Sequence, residues 1–287
     1  MIKGTDIVDL HAHSTCSDGT DLPVELVAAA QRKGLGLLAL TDHDTLDGLE
    51  PFLGCTEKEG LNGIGGVEVS STHDGCRLHV VGLGLTPARA LSVENLLQQM
   101  RDWRAERNLK MVDRLVDLGF PLAYDDVKAE AAGAVVGRPH FGRALVKKGY
   151  VKNLREAFDR LLADFAPAYV AKRKAQPREV TSALHEADAL AIVAHPHTLD
   201  GDGAMERRLE ELRQLGADGV EAYHPDLTPG QTERVLAFAA ETGMLVSGGS
   251  DYHGKNKANV QLGRGARRRK ILAEGVWPLV ERLTTVP

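Results

Sequence analysis

The feature of this 287-residue chain that most limits its fold is a series of short apolar runs, each carrying histidine or carboxylate residues at or near its end. The runs are "DIVDLHAH", "GLLALTDHDT", "GIGGVEVSS", "RLHVVGLGL", "ALAIVAHPH", "DGVEAYHPD" and "GMLVSGGSDYH". Their length and composition are typical of buried β-strands. Helical stretches such as "PVELVAAAQRKG" and "TPGQTERVLAFAAETG" separate many of them. This alternation predicts a mostly parallel sheet with helices outside it.

The polar residues at the strand ends favour one α/β architecture over another. In a (β/α) barrel, the carboxyl ends of the strands meet at one face, and the active site lies there. A doubly wound open sheet is the alternative. Reactive side chains from seven strand ends fit one common centre better, so we expect the barrel.

The alternation of strand and helix patterns stops in the middle of the chain, because residues 86–172 show no clear strand pattern. Apolar residues between Val93 and Leu118 recur at helical spacing instead. We therefore expect a catalytic barrel formed by residues 1–85 and 173–287, with residues 86–172 as a helical insertion over the barrel mouth. A satellite bundle without a role in the site is the alternative.

Composition excludes several classes of partner and location. The net charge of −5 gives no global basic field for duplex DNA or an anionic membrane. The three cysteines are too few, and wrongly spaced, for a disulfide framework or a thiolate zinc site. No apolar run approaches the ~18 residues of a membrane span, and the first residues lack a signal-peptide core. We expect a soluble, cytoplasmic protein.

Nine imidazole and carboxylate side chains are expected to converge at the barrel mouth. Any one of these histidines alone would more simply be a buried core residue, but burying all nine is costly without a compensating charge. Divalent metals supply that charge, and mixed nitrogen and oxygen ligands suit Zn, Mn or Fe. The nine residues are His11, His13, Asp18, His43, Glu68, His79, His195, Asp251 and His253.

Six sequence blocks carry a resemblance to a known family. "DLHAHSTCSDGT", "ALTDHDT", "GVEVS", "LHVVGLG", "VAHP" and "GGSDYH" occur in this order and resemble the blocks of the polymerase and histidinol phosphatase (PHP) family. The similarity spans most of residues 6–85 and 175–255. The chain most resembles small bacterial phosphoesterases, including 3',5'-nucleotide bisphosphate phosphatases and relatives that act on 5'-phosphorylated oligoribonucleotides. The resemblance implies a distorted (β/α)7 barrel that holds three divalent metal ions.

The resemblance also implies how the nine side chains divide among three metal positions. The first set is His11, His13, Glu68 and Asp251; the second is Glu68, His79 and His195; the third is Asp18, His43 and His253. Three divalent ions carry about +6 and three carboxylates about −3, so a net charge of about +3 remains. Such a site favours an anionic substrate, and a phosphate ester fits it better than an amide.

The reaction expected from such a site is metal-assisted hydrolysis, in which a hydroxide bridging two metals attacks phosphorus in line. Phosphoryl transfer needs mainly positioning and charge stabilisation, so no nucleophilic side chain is required. The candidate catalytic residues are Glu68, His224 and Arg138. The expected substrates are small nucleotides with 3' and 5' phosphates, or short 5'-phosphorylated RNA. A phosphomonoesterase of the histidinol phosphate type and a non-catalytic metal-binding module are the alternatives.

Five further residues are candidates for substrate binding. Arg138 and His140 in "GRPHFGRALVKKG" precede a predicted helix, whose N-terminus favours anions, and the resemblance implies that they contact substrate phosphate. Lys172 either reaches a second phosphate or is a surface lysine. His224 is expected to bind phosphate or to protonate the leaving group. His197 stands in "HPHT", where many relatives have His-Pro-Gly, and either contacts substrate, narrows the pocket or faces solvent.

Overall fold

The computed structural model describes residues 2–131 and 135–285, which form two compact units. Unit 1 consists of residues 1–97 and 175–287, and unit 2 of residues 98–174. The helices, numbered along the chain, are α1 Pro23–Arg32, α2 Leu49–Glu59, α3 Leu91–Asp117, α4 Tyr124–Ala131, α5 Arg138–Lys147, α6 Leu154–Ala157, α7 Pro177–Glu186, α8 Met205–Gln214, α9 Pro229–Thr242 and α10 Trp277–Thr284. None of the described helices is both long enough and apolar enough to cross a membrane.

Unit 1 contains a seven-stranded sheet whose strands lie side by side in chain order. The strands are β1 Ile7–Asp9, β2 Leu35–Leu40, β3 Asn62–His73, β4 Cys76–Leu83, β5 Leu190–Val193, β6 Gly219–Tyr223 and β7 Leu245–Gly248. Four of the neighbouring pairs are parallel, and β4 runs antiparallel to both β3 and β5. The predicted α/β class with a mostly parallel sheet is confirmed.

The reversed direction of β4 corrects one detail of the expectation. A tight turn joins β3 directly to β4, and both of its residues, Asp74 (φ 48°) and Gly75 (φ 74°), adopt positive φ. An Asp-Gly pair is a strong signal for such a hairpin turn. His79 therefore lies inside an antiparallel strand, paired with Ser70, and not at the carboxyl end of a parallel one.

Hydrogen bonds between the segments that follow β1 and β7 join the two ends of the sheet. The backbone N–H of His13 donates to the carbonyl of Tyr252 at 2.9 Å, and that of Asp251 donates to the carbonyl of His11 at 2.9 Å. The first and last strands are thereby neighbours, as a barrel requires. The polar residues at these two strand ends are brought side by side.

The sheet is buried on both faces, which explains its near-continuous apolar runs. In β2, Leu37 and Ala39 pack in one core cluster, whereas Leu38 and Leu40 pack in another together with Phe52 of α2. Successive strand residues point to opposite faces, so both faces of β2 must be apolar.

Local signals in the sequence account for where the helices begin and end. The clearest case is α9, where the Thr228 hydroxyl accepts a hydrogen bond from the backbone N–H of Gln231 and Pro229 occupies the first turn. Gly243 ends the helix with φ 72°. This combination of N-cap, early proline and terminal glycine is typical of helix starts and ends.

Unit 2 is helical, and its described residues contain no strand. It comprises most of α3 together with α4, α5, α6 and a π-helical turn, Phe158–Leu162. It has its own apolar core, whose buried members include Met111, Leu115, Leu122, Val127, Phe141, Leu145 and Leu162. The role of this insertion as a lid stays a prediction.

We expect Gly249→Ala to lower the free energy of unfolding by about 2 kcal/mol. A Cβ atom at Gly249 would lie 2.6 Å from the backbone nitrogen of His11, and closer still to its Cβ, so the two sheet ends would be forced apart. Urea denaturation measures the change.

Gly54→Ala is the matched control for this substitution. Gly54 lies within α2 and an added Cβ meets no atom within 4 Å. It should raise the free energy of unfolding by about 0.5–1 kcal/mol. Equal effects of the two substitutions would contradict the close approach at Gly249.

Candidate metal centre

The carboxylate of Glu68, fully buried in β3, stands at the centre of the site and faces five imidazoles. Its Oε2 lies 3.2 Å from His11 Nε2, 3.2 Å from His13 Nε2 and 3.0 Å from His43 Nδ1, and its Oε1 lies 2.6 Å from His79 Nδ1 and 2.9 Å from His195 Nε2. These rings come from the ends of β1, β2 and β5 and from within β4. One side chain thus gathers groups from four strands.

Two further carboxylates extend the cluster. Asp251 Oδ1, beyond β7, lies 3.3 Å from His13 Nε2. Asp18 Oδ1 lies 3.1 Å from His253 Nε2, and its Oδ2 lies 3.8 Å from His43 Nε2. The structure therefore brings all nine residues expected to bind metal into one cluster in unit 1.

The donor atoms of this cluster form three overlapping groups in which all atoms lie within 4.8 Å of one another. The groups are His11, His13, Glu68 and Asp251; His13, Asp18, His43 and His253; and His43, Glu68 and His79. The first coincides with the set expected for the first metal. The set expected for the third metal, Asp18, His43 and His253, also includes His13 in the structure. His195 Nε2 lies 3.2 Å from His79 Nδ1, so it adjoins the group expected for the second metal.

Buried polar atoms without partners provide a test of whether metals fit here. Several ring nitrogens and one carboxylate oxygen lie near opposite charges but make no hydrogen bond within the described residues. They are His11 Nε2, His13 Nδ1, His13 Nε2, His43 Nδ1, Glu68 Oε2 and His195 Nδ1. Buried polar atoms left unsatisfied are costly. Divalent cations would satisfy them, so the donor set fits such ions.

The carboxylates of the cluster are held in their ionised form. Burial raises the pKa of Glu68, but the charge of His11 and the hydrogen bond from His195 outweigh it and hold that pKa well below its usual range. Burial likewise raises the pKa of Asp18, but the hydrogen bond from His253 and the charges of His43 and His253 outweigh burial and lower that pKa to about 2. The negative charge that attracts cations is therefore present at neutral pH.

Two of the expected ligands have strained backbones. His195 has φ 29° and Asp251 has φ 52°, a region that residues other than glycine rarely adopt. Each conformation costs on the order of 1–3 kcal/mol and persists only where the surroundings enforce it. The backbone N–H of His195 donates to Glu221 Oε2 at 2.7 Å, which helps to enforce it.

Glu221 is a site residue that the sequence analysis did not select, although it lies in the run "DGVEAYHPD". Its carboxylate is buried, and its Oε1 accepts a hydrogen bond from His11 Nδ1 at 3.2 Å. With the bond from His195, it orients two of the rings that face Glu68. Carboxylates behind metal-binding histidines commonly have this function. An acidic residue inside the apolar run "DGVEAY" was the available signal.

Asp9 and Lys257 were also missed. Buried Asp9 accepts hydrogen bonds from the backbone N–H of Ser250 at 2.9 Å and of Gly263 at 2.7 Å, which ties the end of β1 to the segments beyond β7. The ammonium of Lys257 contacts Asp251 Oδ2 and so holds the carboxylate that faces the cluster. Lys257 ends a short 3-10 turn, Gly254–Lys257, which is too short for sequence periodicity to give a signal.

Two of the predicted substrate-binding residues adjoin the cluster. His224 Nε2 lies 3.5 Å from Asp251 Oδ2, and both residues line a cavity of about 310 Å³ together with Lys257. The ring of His197 lies 5.5 Å from that of His224. Both histidines are therefore placed beside the site in unit 1.

The other three predicted substrate-binding residues lie in unit 2. Arg138 begins α5 and donates from Nη1 to Asp164 Oδ1 at 2.6 Å. His140 Nδ1 accepts a hydrogen bond from the backbone N–H of Gly137 at 2.8 Å, so it caps the same helix. Lys172 is partly buried near the end of the unit.

Arg107, a residue of α3 that the sequence analysis did not select, lies near Arg138 in unit 2. Its side chain is only 9% exposed, and its Nη1 contacts the sulfur of Met111 at 3.0 Å. No carboxylate pairs with it among residues 2–131 and 135–285. Burial, Arg138 and Arg104 lower its pKa. A buried cation without an anion is unfavourable unless a ligand supplies one.

Comparisons with known proteins agree with this geometry. The model of the PHP domain family matches residues 9–171. A 5'-3' exoribonuclease from Haemophilus influenzae is 36% identical over 246 residues, covering 85% of this chain and 89% of that protein. A 3',5'-nucleoside bisphosphate phosphatase from Chromobacterium violaceum is 31% identical and covers 89% and 90%. A solved structure from Bifidobacterium adolescentis, assigned as a metal-dependent phosphoesterase, matches with TM-score 0.71 and 29% identity over 98% of both chains.

We expect Glu221→Gln to weaken divalent metal binding about 10- to 100-fold, because it disturbs the orientation of His11 and His195. Glu68→Gln should weaken it more, since the charge at the centre of the cluster is lost. Elemental analysis of the purified variants after dialysis measures the bound metal.

Glu210→Gln is the control, because Glu210 is paired with Arg213 on α8, away from the cluster. It should leave metal content unchanged. Full metal content in Glu68→Gln would show that the cluster is not a metal site.

Proposed function

The chain belongs to the PHP domain family and is a metal-dependent phosphoesterase, and from this premise we propose that it hydrolyses phosphate esters of small nucleotides. The substrates proposed are 3',5'-bisphosphonucleotides and short 5'-phosphorylated oligoribonucleotides. The exoribonuclease and phosphatase relatives support this choice by their activities. The observation that carries the proposal is the clustering of nine histidine and carboxylate side chains, with Glu68 at their centre.

We assign three divalent ions, Mn, Zn or Fe, to the cluster. The residues that would hold them are His11, His13, Glu68 and Asp251; Glu68, His79 and His195; and Asp18, His43 and His253. Bound divalent metals supply an activated water and stabilise the charge that develops on phosphoryl oxygens. The buried unpartnered nitrogens support this assignment, because each is a potential metal donor that makes no hydrogen bond within the described residues.

His224 is the proposed proton donor to the leaving group. Its Nδ1 accepts a hydrogen bond from the backbone N–H of Asp226 at 3.1 Å, so the neutral ring carries its proton on Nε2. Nε2 is buried, makes no hydrogen bond within the described residues and lies at the cavity shared with Asp251. Uptake of a second proton from solvent on Nδ1, with loss of the bond from Asp226, would give the acid form; this form would transfer its Nε2 proton to the ester oxygen that leaves and return to the neutral ring.

Unit 2 is proposed to bind a phosphate of the substrate. Arg138 and the uncompensated Arg107 provide two cations there, and a phosphate would supply the missing negative charge. His140 and Lys172 belong to the same unit and are proposed as additional contacts. His197 is proposed to contact the substrate from unit 1, beside His224.

The proposed location is the cytoplasm, and the proposed partner is the small phosphorylated substrate itself. Cys16, Cys55 and Cys76 are free thiols, which is consistent with a reducing compartment.

The first test is phosphate release by Mn-loaded protein from 3',5'-bisphosphoadenosine, histidinol phosphate and a 5'-phosphorylated trinucleotide. We expect hydrolysis of the first and third and little of histidinol phosphate, and we expect a chelator to abolish it. No release from any substrate by protein with its metal bound would overturn the proposal.

The second test is Arg138→Ala, which should raise KM for nucleotide substrates about ten-fold or more, since a charged hydrogen bond to phosphate is lost. Metal content should stay unchanged, because Arg138 lies in unit 2 and the cluster in unit 1. Arg143→Ala, on the same helix and exposed, is the control and should leave KM unchanged. Lost metal in Arg138→Ala would contradict its role in substrate binding.

A further inference from the structure

A strongly basic loop lies in unit 1 outside the metal centre. Its sequence, "RGARRRK", covers residues 264–270 and contains five cations and no acidic residue, in a chain whose net charge is −5. Arg267, Arg268, Arg269 and Lys270 are exposed. Within the described part of the chain, none of the five cations forms an ion pair with a carboxylate. We call residues 264–270 the basic loop.

The backbone of the basic loop is held in an unfavourable conformation. Arg267 (φ 53°) and Arg268 (φ 57°) are consecutive residues in the left-handed region, which costs free energy for side chains other than glycine. Hydrogen bonds from the N–H of Gly265 to the Arg269 carbonyl (3.0 Å) and from the N–H of Arg269 to the Ala266 carbonyl (3.1 Å) enforce it. The tight turn displays three arginines and a lysine together at the surface.

A cavity of about 200 Å³ lies beneath this loop. Its wall combines an aromatic ring and a proline with a hydroxyl and cationic side chains, and Glu233 also lines it. These residues are Tyr223, Pro229, Thr232, Arg267, Arg269 and Lys270. Thr232 Oγ1 is buried and makes no hydrogen bond within residues 2–131 and 135–285. An unsatisfied buried hydroxyl beside cations is a donor that lacks its acceptor.

The cavity and the metal centre are lined by residues that are neighbours in the chain. Tyr223 ends β6, and the next residue, His224, lies 3.5 Å from Asp251. Residues of the two sites are therefore consecutive in the chain at the end of β6.

We propose that the basic loop and its cavity bind the sugar-phosphate backbone of single-stranded RNA beyond the nucleotide held at the metal centre. This rests on the proposed function and narrows it, because a mononucleotide substrate would not need such a surface. Exposed cations beside a cavity with an aromatic wall match the general chemistry of single-stranded nucleic acid binding. An anionic membrane is the weaker match, because membrane-binding segments place exposed apolar side chains beside their cations, and residues 267–270 are all cationic.

The test compares the native chain with Arg267→Gln/Arg269→Gln/Lys270→Gln. Fluorescence anisotropy measures the binding of Mn-loaded protein to a 5'-phosphorylated phosphorothioate octaadenylate, which resists cleavage. We expect the variant to bind it roughly ten-fold or more weakly. Each phosphate contact contributes about 0.7 to the slope of log affinity against log salt for single strands, so the slope should fall by about 2. KM for 3',5'-bisphosphoadenosine should stay unchanged.

The matched control is Lys3→Gln/Lys33→Gln/Lys58→Gln, which removes the same charge from exposed positions elsewhere in unit 1. Equal loss of RNA binding in both triple variants would overturn the proposal in favour of a general field effect. Unchanged RNA binding in the loop variant, or loss of binding only to vesicles containing phosphatidylserine, would also overturn it. Native protein that binds the octanucleotide through the loop but hydrolyses no substrate would refute the proposed function alone.

Discussion

The interaction on which the rest of this structure depends is that between one buried carboxylate and the imidazoles around it. Glu68 is fully buried, and five histidine rings lie within hydrogen-bonding or ion-pair distance of its two oxygens. Such a cluster is unfavourable in an apolar core unless its charges are balanced. A fold that keeps it must hold each ring rigidly and admit cations. The strained backbone of His195 and Asp251 and the buried carboxylate of Glu221 meet the first requirement, and the unpartnered donor atoms meet the second.

Much of the fold and of the cluster could be predicted from the sequence because both leave local signals. Apolar runs report buried strands, and histidine or carboxylate residues inside such runs are rare enough to identify, so the nine residues from His11 to His253 were found together. The direction of β4 was missed, although Asp74 and Gly75 carried the hairpin signal.

Other features depend on contacts between residues far apart in the chain, and no local pattern reports them. Glu221 acquires its role only when β6 lies beside the ends of β1 and β5, and Lys257 only when its loop reaches Asp251. Arg107 resembles any charged residue on an amphipathic helix until unit 2 packs around it. Only the family resemblance assigns the side chains to individual metal positions. One carboxylate that lies between several rings could share them among the positions in more than one way.

The hairpin of β3 and β4 has a consequence for the order in which the site is assembled. Glu68 and His79 are eleven residues apart, and their contact forms as soon as this hairpin does, on the roughly microsecond timescale of local pairing. His11 and Asp251, by contrast, meet only when the two ends of the barrel close, which requires a far larger loop to be ordered. One part of the cluster therefore forms early, through a local contact, and the other part forms late, when the barrel closes. A cation that stabilises the finished cluster therefore acts on the closing contact, and so favours the native state over chains whose ends are still apart.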